Sequence, residues 1–166
     1  MRNRRRITAF WQDFQRQHPE YMALEEPQSF YFCANKKDAD ECARLVVRKE
    51  KQATSPSLWW FGKNNEPLPE IGTLAIVTDW EGQPKAIIKT TRIEIVPFKA
   101  ITPEHAFIEG EGDKSLDYWK RVHWEYYANE MKAFDEHPDE EMEIACEYFE
   151  TIWGDETTDA SLNAKP

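Results

Sequence analysis

Between Asp38 and Lys49 the apolar residues Ala39, Cys42, Ala43 and Val46 recur at steps of three and four, the spacing of one helical face. Asp40 and Glu41 fall in the first turn, and Arg44, Arg48 and Lys49 fall towards the end, a polarity that complements the helix dipole. The pattern predicts a helix opened by Asp38 and running to about Lys49. It must stop before Pro56, because a residue ahead of proline avoids helical geometry. Lys51-Gln52-Ala53-Thr54-Ser55 therefore lies on the exit from that helix. Nearer the N-terminus, Thr8 is read as the cap of a short helix that buries Phe10 and Phe14.

Further along, the period changes to two. Thr73 to Thr78 reads as a strand, Trp80 to Gln83 as a turn, and Lys85 to Val96 as a second, longer strand. Ile87, Thr91, Ile93 and Ile95 share one face of it, with Lys89 the exception, and the two strands are expected to form a hairpin. Before them, Trp59-Trp60-Phe61 leads into a loop rich in Asn and Pro. Thr102-Pro103 supplies a capping hydroxyl and a proline at the first helical position, so a short helix starts there and ends at Gly110. Ser115 caps a longer helix with Leu116, Trp119, Val122, Tyr126 and Tyr127 on or near its buried side. Met142, Ile144, Cys146 and Tyr148 alternate as a last strand, and a change of phase to Phe149, Thr151 and Trp153 suggests a bulge. Strands separated by helices of unequal length, with an antiparallel hairpin, indicate an α+β fold. A small barrel closed by the last strand would hide the exposed edges, but pattern alone does not choose a barrel from other α+β folds.

Composition narrows the class. A chain of 166 residues, 40% hydrophobic and 13% aromatic, suits one ordinary domain and not a disordered chain. No apolar run reaches the length of a membrane span, and no apolar centre follows the basic Met1–Arg6 segment, so neither a membrane anchor nor a secretory signal is expected. Cys33, Cys42 and Cys146 are odd in number and contain no Cys-x-x-Cys pair, which points to reduced thiols and a cytoplasmic setting. The net charge of −10 argues against broad nucleic-acid binding. The acid is concentrated between Asp135 and Glu150, however, while Lys36, Lys37, Arg44, Arg48, Lys49 and Lys51 cluster early, so a local basic face is compatible with an acidic whole.

Ile76-Val77-Thr78-Asp79-Trp80-Glu81-Gly82-Gln83-Pro84, followed by Ile87 to Thr91, resembles the ASCH domain family. The stretch from Val96-Pro97-Phe98 through Phe107-Ile108-Glu109-Gly110-Glu111-Gly112-Asp113-Lys114-Ser115-Leu116 and Trp119 to His123 resembles it more closely still. The likeness spans residues 28–153, with residues 1–27 as an N-terminal helical extension and 154–166 as a disordered tail. It implies a PUA-like open β-barrel with flanking helices. Family members are described as RNA-binding modules, as a metal-dependent ribonuclease, and as amidohydrolases that deacetylate acetylcytidine at its exocyclic amine. The Lys-x-x-Thr of the amidohydrolases falls on Lys51 and Thr54, and their His-Ala-x-x-Glu falls on His105, Ala106 and Glu109. Two positions depart from the family pattern. Phe32-Cys33-Ala34 stands where many relatives have Phe-Gly-Asp, and Lys49 stands where most have glycine two residues before the lysine.

Amide hydrolysis needs a nucleophile, a proton shuttle and stabilisation of an oxyanion. A lysine serves as base only if desolvation or nearby positive charge lowers its pKa, and Arg48 and Lys49 are positive neighbours of Lys51 in sequence. Glu109 beside Lys51 would oppose that. Alternatively Glu109 protonates the leaving amine, or activates water with Lys51 as electrostatic clamp; the sequence leaves open which of Lys51, Thr54 and Glu109 is base, nucleophile or acid. Arg48, Glu111, Asp113 and Ser115 complete the candidate ligand-binding set. No cofactor is expected, with a divalent metal on Glu109, Glu111 and Asp113 as the alternative. His105, His123 and Trp119 read as structural. The expected partner is a modified nucleoside or single-stranded RNA. The functions weighed are hydrolysis of an acylated cytidine, metal-dependent cleavage of RNA, and RNA binding without catalysis.

Overall fold

The computed structural model of the chain describes residues 2–154; the expected tail, from residue 155 on, lies outside the described residues. In chain order the elements are α1 (Arg2–Gln17), a 3-10 turn (Pro19–Tyr21), β1 (Ser29–Phe30), α2 (Lys36–Val47), β2 (Ala53–Thr54), α3 (Leu58–Lys63), β3 (Leu74–Thr78), β4 (Pro84–Pro97), a second 3-10 turn (Phe98–Ala100), α4 (Pro103–Glu109), α5 (Leu116–Lys132) and β5 (Glu143–Gly154). The five strands form one mixed sheet in the order β1-β3-β4-β5-β2. β1 runs parallel to β3, while the β3–β4 and β2–β5 pairs are antiparallel. The fold is α+β, as the alternation of periods predicts.

The hairpin forms as expected, with a register shift between Val77 and Thr78. The last strand does not close a barrel. β5 lies between β4 and β2, and the two ends of the sheet are the two-residue strands β1 and β2. Keeping edge strands this short is itself a way of limiting exposed backbone.

Three helix starts differ from the sequence reading. α1 begins at Arg2, not Thr8, because the stripe of Ile7, Phe10, Trp11 and Phe14 already starts one residue before Thr8 and the Arg-rich turn ahead of it carries no apolar marker. α2 is capped by Asn35, whose side chain accepts from Asp38 N at 2.9 Å, so Asp38 sits inside the first turn. Ser57 caps the short α3 over Trp59-Trp60-Phe61 by accepting from Trp60 N. Thr102 and Ser115 cap α4 and α5 as predicted, and Gly110 ends α4 in the left-handed conformation.

The chain divides into two compact units. Among the described residues the first is drawn from 2–49, 73–89 and 150–154. Its core joins Trp11 and Phe14 of α1 to Leu74, Ile76 and Ile87 of the hairpin. In it α2 ends at Val47, and Lys49 follows with φ 63°. Cys33 has φ 71°. Both residues at the positions where the resemblance implies glycine therefore take up the backbone conformation glycine favours. The second unit, Glu50–Gly72 with Thr90–Phe149, has a core of Phe98, Ile101, Ala106, Trp119, Tyr127, Ile144 and Cys146. Among the described residues no helix is long and apolar enough to cross a membrane.

Candidate functional site

All the geometry of the site lies in the second unit. Residues 52–57 run alongside β5 in one register: Phe149 N donates to Gln52 O, Ala53 pairs with Tyr148, Thr54 with Glu147, Ala145 N donates to Pro56 O, and Ser57 bridges to Ile144. Extended backbone sends alternate side chains to opposite faces. Accordingly Ala53, Ser55 and Ser57 are buried, while Gln52 is exposed and Thr54 and Pro56 are half-buried. Lys51, only 1% exposed, sits where this segment begins. A lysine is buried this deeply only when its charge is matched. Its Nζ donates to Ala53 O at 2.7 Å and to Glu111 Oε2 at 2.9 Å.

Gly110 brings the acidic loop up to that lysine. It has φ 80°, and a Cβ there would lie 2.2 Å from Glu50 O. Only glycine tolerates both the backbone angle and the approach. Gln52 N donates to Ile108 O at 2.9 Å and fixes the end of α4 against the same segment.

Glu109 is likewise 1% exposed. Its Oε1 accepts from Ser55 Oγ at 2.8 Å. Its Oε2 forms an ion pair with His123 Nε2 at 3.0 Å, without a well-aligned hydrogen bond. Since the Ser55 proton points to Glu109, the 2.7 Å contact from His105 Nε2 to Ser55 Oγ requires a proton on that nitrogen. His105 Nδ1 then accepts from Tyr148 Oη at 2.9 Å. On the other side His123 Nδ1 faces Trp119 O at 2.8 Å, and a carbonyl can only accept. Both nitrogens of His123 thus face acceptors, which is the arrangement of an imidazolium. Its ring stacks on Trp119 at 4.0 Å. Tyr127 Oη donates to Ser55 O at 2.6 Å and completes the network.

The electrostatics agree. Burial by itself would raise the Glu109 carboxyl, but the charges of His123 and Lys51 outweigh it and hold the group below the usual carboxylate range. Burial would lower His123, and the Glu109 carboxylate reverses this and raises it. Burial lowers His105, whose ring is neutral in the hydrogen-bond chain. A cavity of about 10 Å³ adjoins the group, lined by Glu109, Glu111, Ser115, Tyr118, Trp119 and His123 together with Ala106 and Val122.

Of the residues singled out from sequence, the structure brings Lys51, Glu109 and Glu111 together, and Ser115 lines the cavity while capping α5. Thr54 lies on the strand face opposite Ser55, turned away from the hydroxyl that meets Glu109. Asp113 is exposed and its carboxylate accepts from Ser115 N at 2.8 Å. Arg48 is an exposed residue at the C-terminal end of α2, in the first unit. Sequence reasoning missed Ser55, Tyr148 and the polar roles of His105 and His123. Spacing held part of the answer: His105 and Glu109 are one turn apart on α4, as are Trp119, His123 and Tyr127 on α5.

Donor atoms of Glu109, Glu111 and His123 lie within 4.8 Å of one another. Two carboxylates and an imidazole suit a divalent cation by type. Here Lys51 already pairs with Glu111, and His123 must lose a proton before it can ligate. Asp113, expected in a metal set, is not in this group.

Against known proteins, the ASCH domain family model matches residues 28–153. The crystal structure of an ASCH domain from Lactobacillus crispatus JV V101 is 28% identical, with a TM-score of 0.84 over 90% of this chain and 95% of that one. A crystal structure of a protein from Enterococcus faecalis V583 is 27% identical, with a TM-score of 0.83 over 98% of this chain and 97% of that one. No curated protein sequence matches the chain.

Proposed function

The chain belongs to the ASCH domain family, and from that premise we propose that it hydrolyses the acyl amide of an N-acylated cytidine or a related modified nucleoside at Lys51 and Glu109. ASCH domains are associated with RNA, which supports a ligand of that class. The observation that carries the reading is the buried, ionised Glu109 held between Ser55 and His123 within the field of Lys51.

An ionised carboxylate at neutral pH accepts protons, so Glu109 acts as base towards water, not as the initial acid. Oriented by Ser55 and His123, it does not need to reorganise as the proton arrives. Lys51 supplies the positive charge for the oxyanion that develops on the acyl oxygen. Glu111 now occupies that ammonium, so the loop carrying it must yield as substrate enters. Glu109 then returns the proton to the leaving exocyclic amine. Thr54 stands outside this reading and Ser55 provides the hydroxyl.

Purified protein incubated with acetylcytidine is expected to release cytidine, and Glu109→Gln is expected to lower turnover by about a hundredfold or more. Absence of cytidine release, or full activity in Glu109→Gln, overturns the reading. A second reading, metal-dependent cleavage of single-stranded RNA, is favoured by the Glu109–Glu111–His123 group. It requires cleavage that stops in excess chelator. Binding of single-stranded RNA with no turnover of either substrate would leave a non-catalytic RNA-directed role.

A further inference from the structure

We infer that the cavity beside Glu109 seats one water, held between Glu109 Oε2 and the indole N–H of Trp119, and that this water is the nucleophile of the hydrolysis proposed above, on which the second half of the inference rests. Among the described residues three buried side-chain atoms lack a hydrogen-bond partner: Glu109 Oε2, Trp119 Nε1 and Glu130 Oε2. Two of the three belong to residues lining this one small cavity. Their chemistry is complementary, since a carboxylate oxygen only accepts and an indole N–H only donates. A water accepts from one and donates to the other. The cavity volume of about 10 Å³ is that of a single water site.

The surroundings restrict the occupant further. Ala106 and Val122 close part of the wall with apolar surface, and the Ser115 hydroxyl oxygen is engaged with Tyr118 N. Oε2 already meets the His123 cation on one side, which leaves a carboxylate lone pair for a donor. Glu111, bonded to Lys51, lines the same cavity, so the water stands next to both the base and the residue that guards the clamp.

In the reaction the water oxygen bonds to the acyl carbon while one of its protons passes to Glu109 Oε2, and the carbonyl π pair moves onto the acyl oxygen. On collapse the C–N bond breaks. The proton held by Glu109 goes to the amine nitrogen, giving the free carboxylic acid and the unmodified cytosine amine. Trp119 touches the nucleophile through its N–H and orients one lone pair towards the substrate.

Two measurements on the full-length protein test this. A crystal structure at a resolution that shows waters is expected to contain one oxygen about 2.7–3.2 Å from both Glu109 Oε2 and Trp119 Nε1. The Trp119 indole proton is expected to show a magnetisation-transfer peak with water in proton–nitrogen NMR. Trp119→Phe keeps an aromatic ring against His123, and should lose that oxygen and lower kcat by about a hundredfold with little change in KM. An empty cavity with no water peak in the wild type overturns the site even if Trp119→Phe does not fold. An atom with several ligands at about 2.1 Å would be a metal, which also overturns it. A water in place with no hydrolysis of acetylcytidine removes the nucleophile role along with the proposed function, and leaves the hydration site standing.

Discussion

His123 Nε2 lies 3.0 Å from Glu109 Oε2, and with the carboxyl held low and the imidazole raised by one another the proton of that buried pair is assigned to the histidine. Its other nitrogen faces the Trp119 carbonyl, which has no proton to give. The pair thus carries both charges in the interior, and stability depends on keeping both.

Glu109 is displaced below its ordinary 4.5, so its contribution is present above about pH 4.5 and is lost as pH falls through its depressed folded value. His123 is displaced above its ordinary 6.5, so its contribution is complete below about pH 6.5 and is lost as pH rises through its raised folded value. Urea midpoints of the wild type should therefore peak between about pH 4.5 and 6.5. In a Glu109→Gln, His123→Gln double variant the profile should be flatter. The same pH profile in both proteins would remove the pair from the account.

Ser55 and Thr54 are adjacent hydroxyl residues on opposite strand faces, and their variants separate two assignments. Ser55→Ala removes the bond to Glu109 Oε1 and the acceptor of His105 Nε2. It should lower acetylcytidine turnover by roughly ten- to a hundredfold. Thr54→Ala should stay within about twofold, as surface-like changes do. The opposite ranking would assign the chemistry to Thr54.

Gly110→Ala places a Cβ 2.2 Å from Glu50 O and 3.1 Å from Lys51 Cα, at a backbone angle unfavourable to alanine. The end of α4 must then move off the Lys51 segment. Destabilisation of about 2–3 kcal/mol is expected from the strain and the contact together, read from denaturant midpoints. Turnover should fall with it, because the same approach holds Glu109, the last residue of α4, against the Lys51 segment.

Lys49→Gly relieves a left-handed residue at the end of α2. The gain of about 1–2 kcal/mol from the angle is offset by glycine's greater freedom when unfolded, so a net rise of at most about 1 kcal/mol is expected. A clear fall in the thermal midpoint would show that what Lys49 contributes to the fold outweighs the strain of its backbone angle.

Much of this was legible because its causes are local. α4 and α5 announce themselves by Thr102-Pro103, Gly110 and Ser115, all within a turn of the helix ends. The hairpin shows in the period of two on either side of Trp80–Gln83. Glu109 and Lys51 were reached through the family likeness, not through any pattern of their own. Ser55 has no legible signal of its own, since β2 beside it is only two residues long, too short for a period, and its partners on α4 are some fifty positions away. From sequence His123 reads as structural. Its charge becomes apparent only when Glu109 and the Trp119 carbonyl are placed on its two nitrogens. The start of α1 was lost for the opposite reason: an all-polar turn carries no hydrophobic marker.

β2 ends the sheet, yet along it and the residue that follows two backbone carbonyls are already taken by side chains, Ala53 O by Lys51 Nζ and Ser55 O by Tyr127 Oη. The lysine offered for chemistry is therefore also a plug. A second copy of the chain laying a strand there would have to compete with those two bonds, which guards this border against polymerisation. A Lys51→Met variant would fill the same space but unblock Ala53 O, so its preparations should clump on standing as well as lose activity, and light scattering would separate the two consequences of one substitution.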